Sequence, residues 1–365
     1  MRANLLLAST LTLAACSTPA TGGPDTSVPP HDANVPAVDT NIPPGTDANL
    51  PSVDAYRPPL ADGGPTSGVI VAGCRIFPED NPWNQDVSGL PLHPRHAEIM
   101  ANISPTTHLH ADWGAWTDGY GIPWSSGSGA PNAHMDFNQY ADESDMRPCD
   151  GVPFCYPIPP SARIEGGPTS TPGDGDRHVL YLDTTGAPND CTLYEMWATD
   201  GFASGMWTAA NGAIFRLGSN ALRTESWTSA DAAGLPIMPG LVRYDEVMAG
   251  EIRHAIRFTL QHAFNHHIHP ATHDGPSSTA DTPLYGLRFR LRADFDMSHM
   301  DAHTQTILRA MQRYGLFFAD QGSNWYITGD SDDRWNDGDL IGTINTDFRT
   351  VTGGDFEILD TGSQI

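Results

Sequence analysis

An extended chain alternates its side chains, and two segments use that alternation to set ionisable groups among apolar ones. Over 252–260 the even positions are Ile252, His254, Ile256, Phe258 and Leu260, so His254 shares a face with four apolar residues. Over 191–197 the odd positions are Cys191, Leu193, Glu195 and Trp197, which places Glu195 in the same situation. A buried ionisable group is costly unless it is paired, and burial retunes its pKa, so such groups collect at active sites. A Glu and a His meeting in one cleft would divide general acid and base work. The structural alternative is a core hydrogen bond for His254 and an arginine partner for Glu195; adjacency of the two favours function. Acidic runs offer the second carboxylate that glycoside hydrolysis uses: Glu143, between Asp142 and Asp145 in YADESD, or Asp176, which with Asp174 precedes Arg177 and His178.

Residues suited to holding a ligand accompany these. Arg253 and Arg257 alternate with His254, and Arg288, Arg290 and Arg292 alternate along 284–292. If the two strands pair, five arginines line up. They then either neutralise neighbouring carboxylates or cradle an anionic substrate such as a uronic-acid glycan, whose carboxylate matches the planar guanidinium fork. Trp113, Trp116, Tyr120 and Trp124 stand in one Gly-rich stretch, where they can stack on sugar rings or form a small core of their own. His266, His267, His269 and His273 could hold zinc or copper with a distant acid. However, HExxH is missing and Pro270 breaks any helix that would align His269 with His273. A solvated loop is expected there, with no metal and no cofactor. YADESD lacks EF-hand spacing, G-x-S-x-G does not occur, and Ser128 lies in a flexible SSGSGA loop.

The elements that must position these groups are mostly strands. Segments 178–183, 191–197, 212–217, 252–260, 284–292 and 324–328 qualify by alternation or by β-branched and aromatic content. One helix is expected over 299–314, with Ser298 and Asp301 at its start, Ile307, Leu308, Met311 and Tyr314 as its apolar stripe and Gly315 as its stop. A shorter helix is expected over 244–250, and long loops over 104–176. The expected fold is mainly β with a few helices, as a two-sheet β-sandwich; the alternative is α+β, with helices packed on one antiparallel sheet.

Charge narrows the classes of function. The 365 residues carry 19 Lys+Arg against 44 Asp+Glu, a formal net charge of −25. All 19 bases are arginine. Without lysine there is no Schiff-base chemistry, no Walker phosphate loop and no kinase strand lysine. The acid excess argues against nucleic acid as a partner.

The first residues, MRANLLLASTLTLAAC, pair Arg2 with an apolar stretch too short to span a bilayer and end in Leu13-Ala14-Ala15-Cys16. This resembles the lipobox of bacterial lipoproteins. The resemblance implies that 1–15 are a signal peptide, that Cys16 is lipidated, and that the bilayer is a partner through that lipid. Ser17 favours the outer membrane or cell surface among the places a lipid-anchored envelope protein can go. Residues 16–70 are rich in Pro, Thr, Ser and Asp and are expected to form a disordered linker, leaving 71–365 as one globular domain. In an exported protein Cys74, Cys149, Cys155 and Cys191 are expected to form disulfides. Of the three possible pairings, a small Cys149–Cys155 loop with Cys74–Cys191 is preferred.

Segments FPEDNPWNQDVSGLP, YPIPPSARIEGG, DRHVLYLD and TSADAAGLPIMPGLVRYDEVMAGEIRHAIRFT resemble a group of exported bacterial proteins of unassigned activity. The resemblance implies that Glu195 in LYEMW and His254 in GEIRHA belong to a recurring pattern, and that His266, His267 and His269 do not. It implies a family and no reaction. The expectation is a tethered enzyme acting on an extracellular polysaccharide by hydrolysis or β-elimination. Glu195 and His254 would be its acid–base pair, with Asp176 or Glu143 as second carboxylate. Arg253, Arg257, Arg288, Arg290, Trp113, Trp116 and Trp124 would bind substrate. The alternatives are a non-catalytic glycan-binding or adhesion lipoprotein, and a structural envelope protein.

Overall fold

A computed structural model describes residues 68–362; the lipobox, Cys16 and the linker to residue 67 lie outside the described residues. The chain is mainly β with a few helices. The sandwich expectation counted two sheets, whereas the strands fall into four, of two, four, four and six strands. Part of the difference lies in 104–176. This Gly- and Pro-rich stretch was expected to be loop, yet it supplies the strands His110–Gly114, Trp124–Gly127, Ala133–Phe137 and Cys155–Tyr156. In Ala133–Phe137 the alternation is short but clean: Ala133, Met135 and Phe137 are buried while Asp136 is exposed.

The middle four-stranded sheet runs in the order Asn211–Arg216, Thr192–Trp197, Val179–Asp183, Trp124–Gly127. Both of its faces are covered. Leu180, Leu182, Leu193 and Ala213 join the large core, while Val179, Tyr181, Tyr194 and Met196 join a second core with Met135, Phe137 and Trp207. Burial on both sides explains why LYEMW reads as nearly continuous apolar sequence. Glu195 and Leu180 are Cα partners on neighbouring strands, and alternation puts His178 on the same face.

The six-stranded sheet is mixed and runs Phe356–Ile358, Arg288–Leu291, Leu316–Gln321, Ile256–Leu260, Tyr326–Ser331, His110–Gly114. In the Ile256–Leu260 strand, Phe258 meets Phe289 and Trp325 on one face. Its neighbour Arg257 points to the other. The strand is shorter than its alternation suggested. Pairing with Leu316 starts at Ile256, and before it the amide of Ala255 donates to the carbonyl of Trp83. His254 therefore belongs to the approach, not to the sheet. The Leu316–Gln321 strand, which opens on a continuous apolar run and is outside the expected set, lies between the Arg257 and Arg288 strands, so these two do not pair.

The helix Ala302–Arg313 buries Ile307, Leu308 and Met311 and is capped by Asp301, whose side chain accepts from the amide of His303. Ser298 takes no part in the cap; its amide donates to Asp296. Gly315 stops the helix at φ +70°, where a Cβ would meet the carbonyl oxygen of Phe289 at 2.2 Å. The shorter helix Tyr244–Ala249 also forms, with Gly250 after it. Disulfides join Cys74 to Cys191 and Cys149 to Cys155. Among the described residues no helix is long and apolar enough to cross a membrane.

Candidate functional site

Residues 228–240, in the stretch TSADAAGLPIMPG, bridge the middle sheet to the six-stranded sheet through buried polar anchors. The fold of this loop is local. Ser229 Oγ accepts from the amide of Asp231 at 2.9 Å and donates to the carbonyl of Leu235 at 2.7 Å. Gly234 takes φ +75°, and a Cβ there would meet Thr272 Oγ1 at 2.1 Å. On one side Asp231, 0% exposed, accepts from Arg257 Nε at 2.7 Å and Nη2 at 3.1 Å. On the other, the amides of Ile237 and Met238 donate to Glu195 at 2.9–3.0 Å, and the carbonyl of Ala230 faces His178 Nε2 at 3.0 Å.

Arg257 is the hub. It donates to Asp231, to Asp320 Oδ2 at 3.1 Å and to Thr328 Oγ1 at 2.8 Å. Burial pulls its pKa down, but Asp231 and then Asp320 more than offset this and raise it. His178 is equally determined. Burial would lower its pKa, yet Glu165 Oε2, 2.6 Å from Nδ1, and the charge of Asp176 raise it to about 9. Both ring nitrogens face acceptors, which requires both to carry protons. Asp320 is raised to about 7 by burial and by the charge of Asp231 and Asp176, against the opposing pull of Arg257. Asp112, in register with Thr328 on the neighbouring strand, is also raised by burial.

The rim of this network is acidic and open to water. Asp320 keeps 21% of its side-chain surface exposed and Glu165 22%. Asp176 is exposed and accepts from Trp197 Nε1 at 3.1 Å. Carboxyl groups from separate elements thus feel one another's charge, with Asp320 poised to hold a proton near neutral pH. Such a pair can act as general acid and base.

Glu195 and His254 do not form the expected pair. Glu195 is 0% exposed, and its two oxygens take the backbone donors of the loop; burial raises its pKa to about 7 although those amides oppose the shift. His254 Nδ1 donates to the carbonyl of Ala255 at 2.7 Å, while Nε2 lies 2.7 Å from Arg243 Nη2 and 3.2 Å from Glu246 Oε2. Burial raises the pKa of Glu246, but Arg243 and His254 outweigh it and hold the group at about 2. Glu195 anchors a loop and His254 completes an ion-pair cluster; each has its own partners. Glu143 is also an anchor, accepting from the amide of Thr228 at 2.8 Å. Of the four acid–base candidates, Asp176 alone lies on the acidic rim.

The arginine row has no cradle to offer. Arg288 is buried over the Phe317 ring and donates to the carbonyls of Tyr314 and Pro82. Arg290 pairs with Glu357 and also donates to the carbonyls of Val87, Ser88 and Leu90. Arg253 pairs with Glu251 at 2.7 Å. A cavity of about 570 Å³ is lined by Arg290, Arg292, Asp294 and Glu357, but ion pairs to those two acids occupy both arginines. Among the tryptophans, Trp113 is 2% exposed and packs on Trp335 and Phe348. Trp116 lies under Arg163 and donates to the carbonyl of Ile164, and Trp124 donates to Asp330 at 3.4 Å.

The residues that do converge were only partly signalled. The even positions His178, Leu180 and Leu182 carry the alternation that singled out Glu195, and applying it there finds His178. Asp320 ends the buried run LFFA and marks the point where that strand meets water. Asp231 and Asp112 carry no comparable mark. Compared with protein-family models, with curated proteins and with solved structures, the chain matches none of them.

Proposed function

We propose that this protein is a lipid-anchored enzyme of the cell envelope that hydrolyses an extracellular polysaccharide by carboxylate acid–base chemistry. One observation carries the reading: Asp320 and Asp176 are both accessible to water, and they are close enough in an otherwise buried network for the charge of Asp176 to help raise Asp320 to about 7. Asp320 donates its proton to the departing glycosidic oxygen, and Asp176 serves as the second carboxylate. Arg257, fixed by Asp231, positions Asp320. Trp197, already bonded to Asp176, offers an aromatic edge to a sugar ring.

The charge around the site selects between the two expected reactions. β-Elimination from a uronate calls for a cation on the substrate carboxylate. Here Arg257 is committed to Asp231 and Asp320, and the rim carries Asp112, Glu165 and Asp176. That favours hydrolysis of a neutral or amino-sugar glycan over cleavage of an acidic one. The test is to incubate the full chain with a panel of neutral, amino-sugar and uronic polysaccharides, reading new reducing ends and unsaturated uronate. Reducing ends from a neutral or amino-sugar glycan, without unsaturated uronate, are expected. Binding without any new reducing end on the whole panel overturns the enzymatic reading in favour of an adhesion module.

The tether is tested separately. Cys16→Ala is expected to make the protein extractable without detergent, while the parent requires it. A variant that partitions with membranes like the parent contradicts the lipid anchor.

A further inference from the structure

We infer that Glu225, His267 and His269 form a binding site for a divalent transition-metal ion of the zinc class, with Asp274 supporting it from behind. His267 Nε2 lies 2.5 Å from Glu225 Oε1, and His269 Nε2 lies 3.2 Å from Glu225 Oε2. One atom from each of the three side chains falls within 4.8 Å of the others, which is the convergence that three ligands of one ion need. In the metal-free protein each Nε2 must carry a proton to bond the carboxylate. An ion placed among them takes over the role of both protons.

His267 is built for this position. It is 3% exposed, and its Nδ1 lies 2.7 Å from Asp274 Oδ1. A carboxylate on Nδ1 holds the proton there, so an ion that displaces the Nε2 proton meets the Nε2 lone pair, and the same carboxylate orients the ring as in carboxylate–histidine–metal arrangements. Between the two histidines, Ile268 is buried and its amide donates to the carbonyl of Tyr285 at 2.9 Å. The core therefore pins the backbone from which both imidazoles project. The missing HExxH and the helix-breaking Pro270 bear only on helical spacing. These ligands come from neighbouring positions of a loop and from Glu225, 42 residues before His267. His273 stands apart, its Nδ1 bonded to the carbonyl of Ala232 at 2.9 Å.

Two imidazoles and a carboxylate suit a borderline ion such as Zn²⁺ better than Ca²⁺ or Mg²⁺, which take oxygen ligands. His269 and Glu225 are 45% and 47% exposed, which leaves the remaining coordination positions to water. The ion would also join two segments. The amide of Ser226 donates to the carbonyl of Thr272, and that of Thr272 to the carbonyl of Ala233. Loading the site therefore ties the histidine loop to the segment that leads into Asp231.

The test uses the purified full chain, stripped of metal and titrated with Zn²⁺ against a chromophoric chelator and with Co²⁺ by visible absorption. One equivalent of ion with nitrogen and oxygen ligands is expected. Glu225→Gln and His269→Ala alter exposed side chains, so they are expected to fold like the parent and to lose that equivalent. Asp274→Asn is expected to weaken binding by about 10–100-fold while leaving one equivalent. Failure of the parent to compete with the chelator overturns the site. So does undiminished binding in both Glu225→Gln and His269→Ala.

Discussion

Asp320→Asn is expected to lower polysaccharide turnover by about 10²–10⁴-fold, the range for loss of a general acid or base. The amide keeps one oxygen to accept from Arg257 Nη2 and loses the acceptor that Oδ1 offers the amide of Gln321 at 2.7 Å, so a modest drop in melting temperature is expected with the folded state retained. The pH profile supplies a second readout. In the proposed mechanism Asp320 acts in its protonated form, and burial with the Asp231 and Asp176 charges raises it to about 7. Turnover in the parent should therefore decline as pH rises through about 7, because the acid form is lost. The residual activity of Asp320→Asn should lack that limb. A variant with parental turnover and an unchanged alkaline limb would remove Asp320 from the chemistry and leave its elevated pKa a by-product of packing.

Arg257→Met is expected to have the largest effect on stability. Arg257 is 3% exposed and Asp231 is 0% exposed, so the substitution strands a buried carboxylate. Breaking such a pair from one side costs about 3–5 kcal/mol, because the remaining charge keeps its desolvation penalty and loses its compensation. Thr328 Oγ1 and Asp320 Oδ2 lose the same donor. The double variant Arg257→Met with Asp231→Leu replaces both charges by apolar groups and should regain much of the loss, since neither ion is left unpaired. Urea denaturation of both variants measures this. A single variant within about 1 kcal/mol of the parent, a surface-pair magnitude, would show that the hub is hydrated and weakly coupled.

Local physics made much of the secondary structure legible from the chain alone. Alternation or β-branched and aromatic content located the strands Val179–Asp183, Thr192–Trp197 and Asn211–Arg216 to within a residue or two. The helix Ala302–Arg313 announced itself by its stripe, its aspartate cap and Gly315. The disulfide preference was legible too, because a six-residue separation favours loop closure between Cys149 and Cys155 and leaves one other pair. Alternation also marked Glu195 and His254 as buried, and both are. Their partners were another matter. Backbone amides 42 and 43 residues away saturate Glu195, and no side-chain pattern encodes a backbone donor arriving from a distant loop.

What only the tertiary structure decided is which strands are neighbours and what lies between the sheets. Alternation tells a side chain which face it takes but not which strand stands beside it, so the arginines of 252–260 and 284–292 were expected side by side. The Leu316–Gln321 strand separates them instead, and Phe317 pairs with Arg257 on one side and Arg288 on the other. The same limit hid the acidic site. Asp112, His178, Asp231, Arg257 and Asp320 come from separate stretches of sequence, and each alone is an ordinary polar residue. Low dielectric makes them one site: once the bridging loop excludes water, charges that would be screened in solvent set one another's protonation, and that coupling exists only in the folded chain.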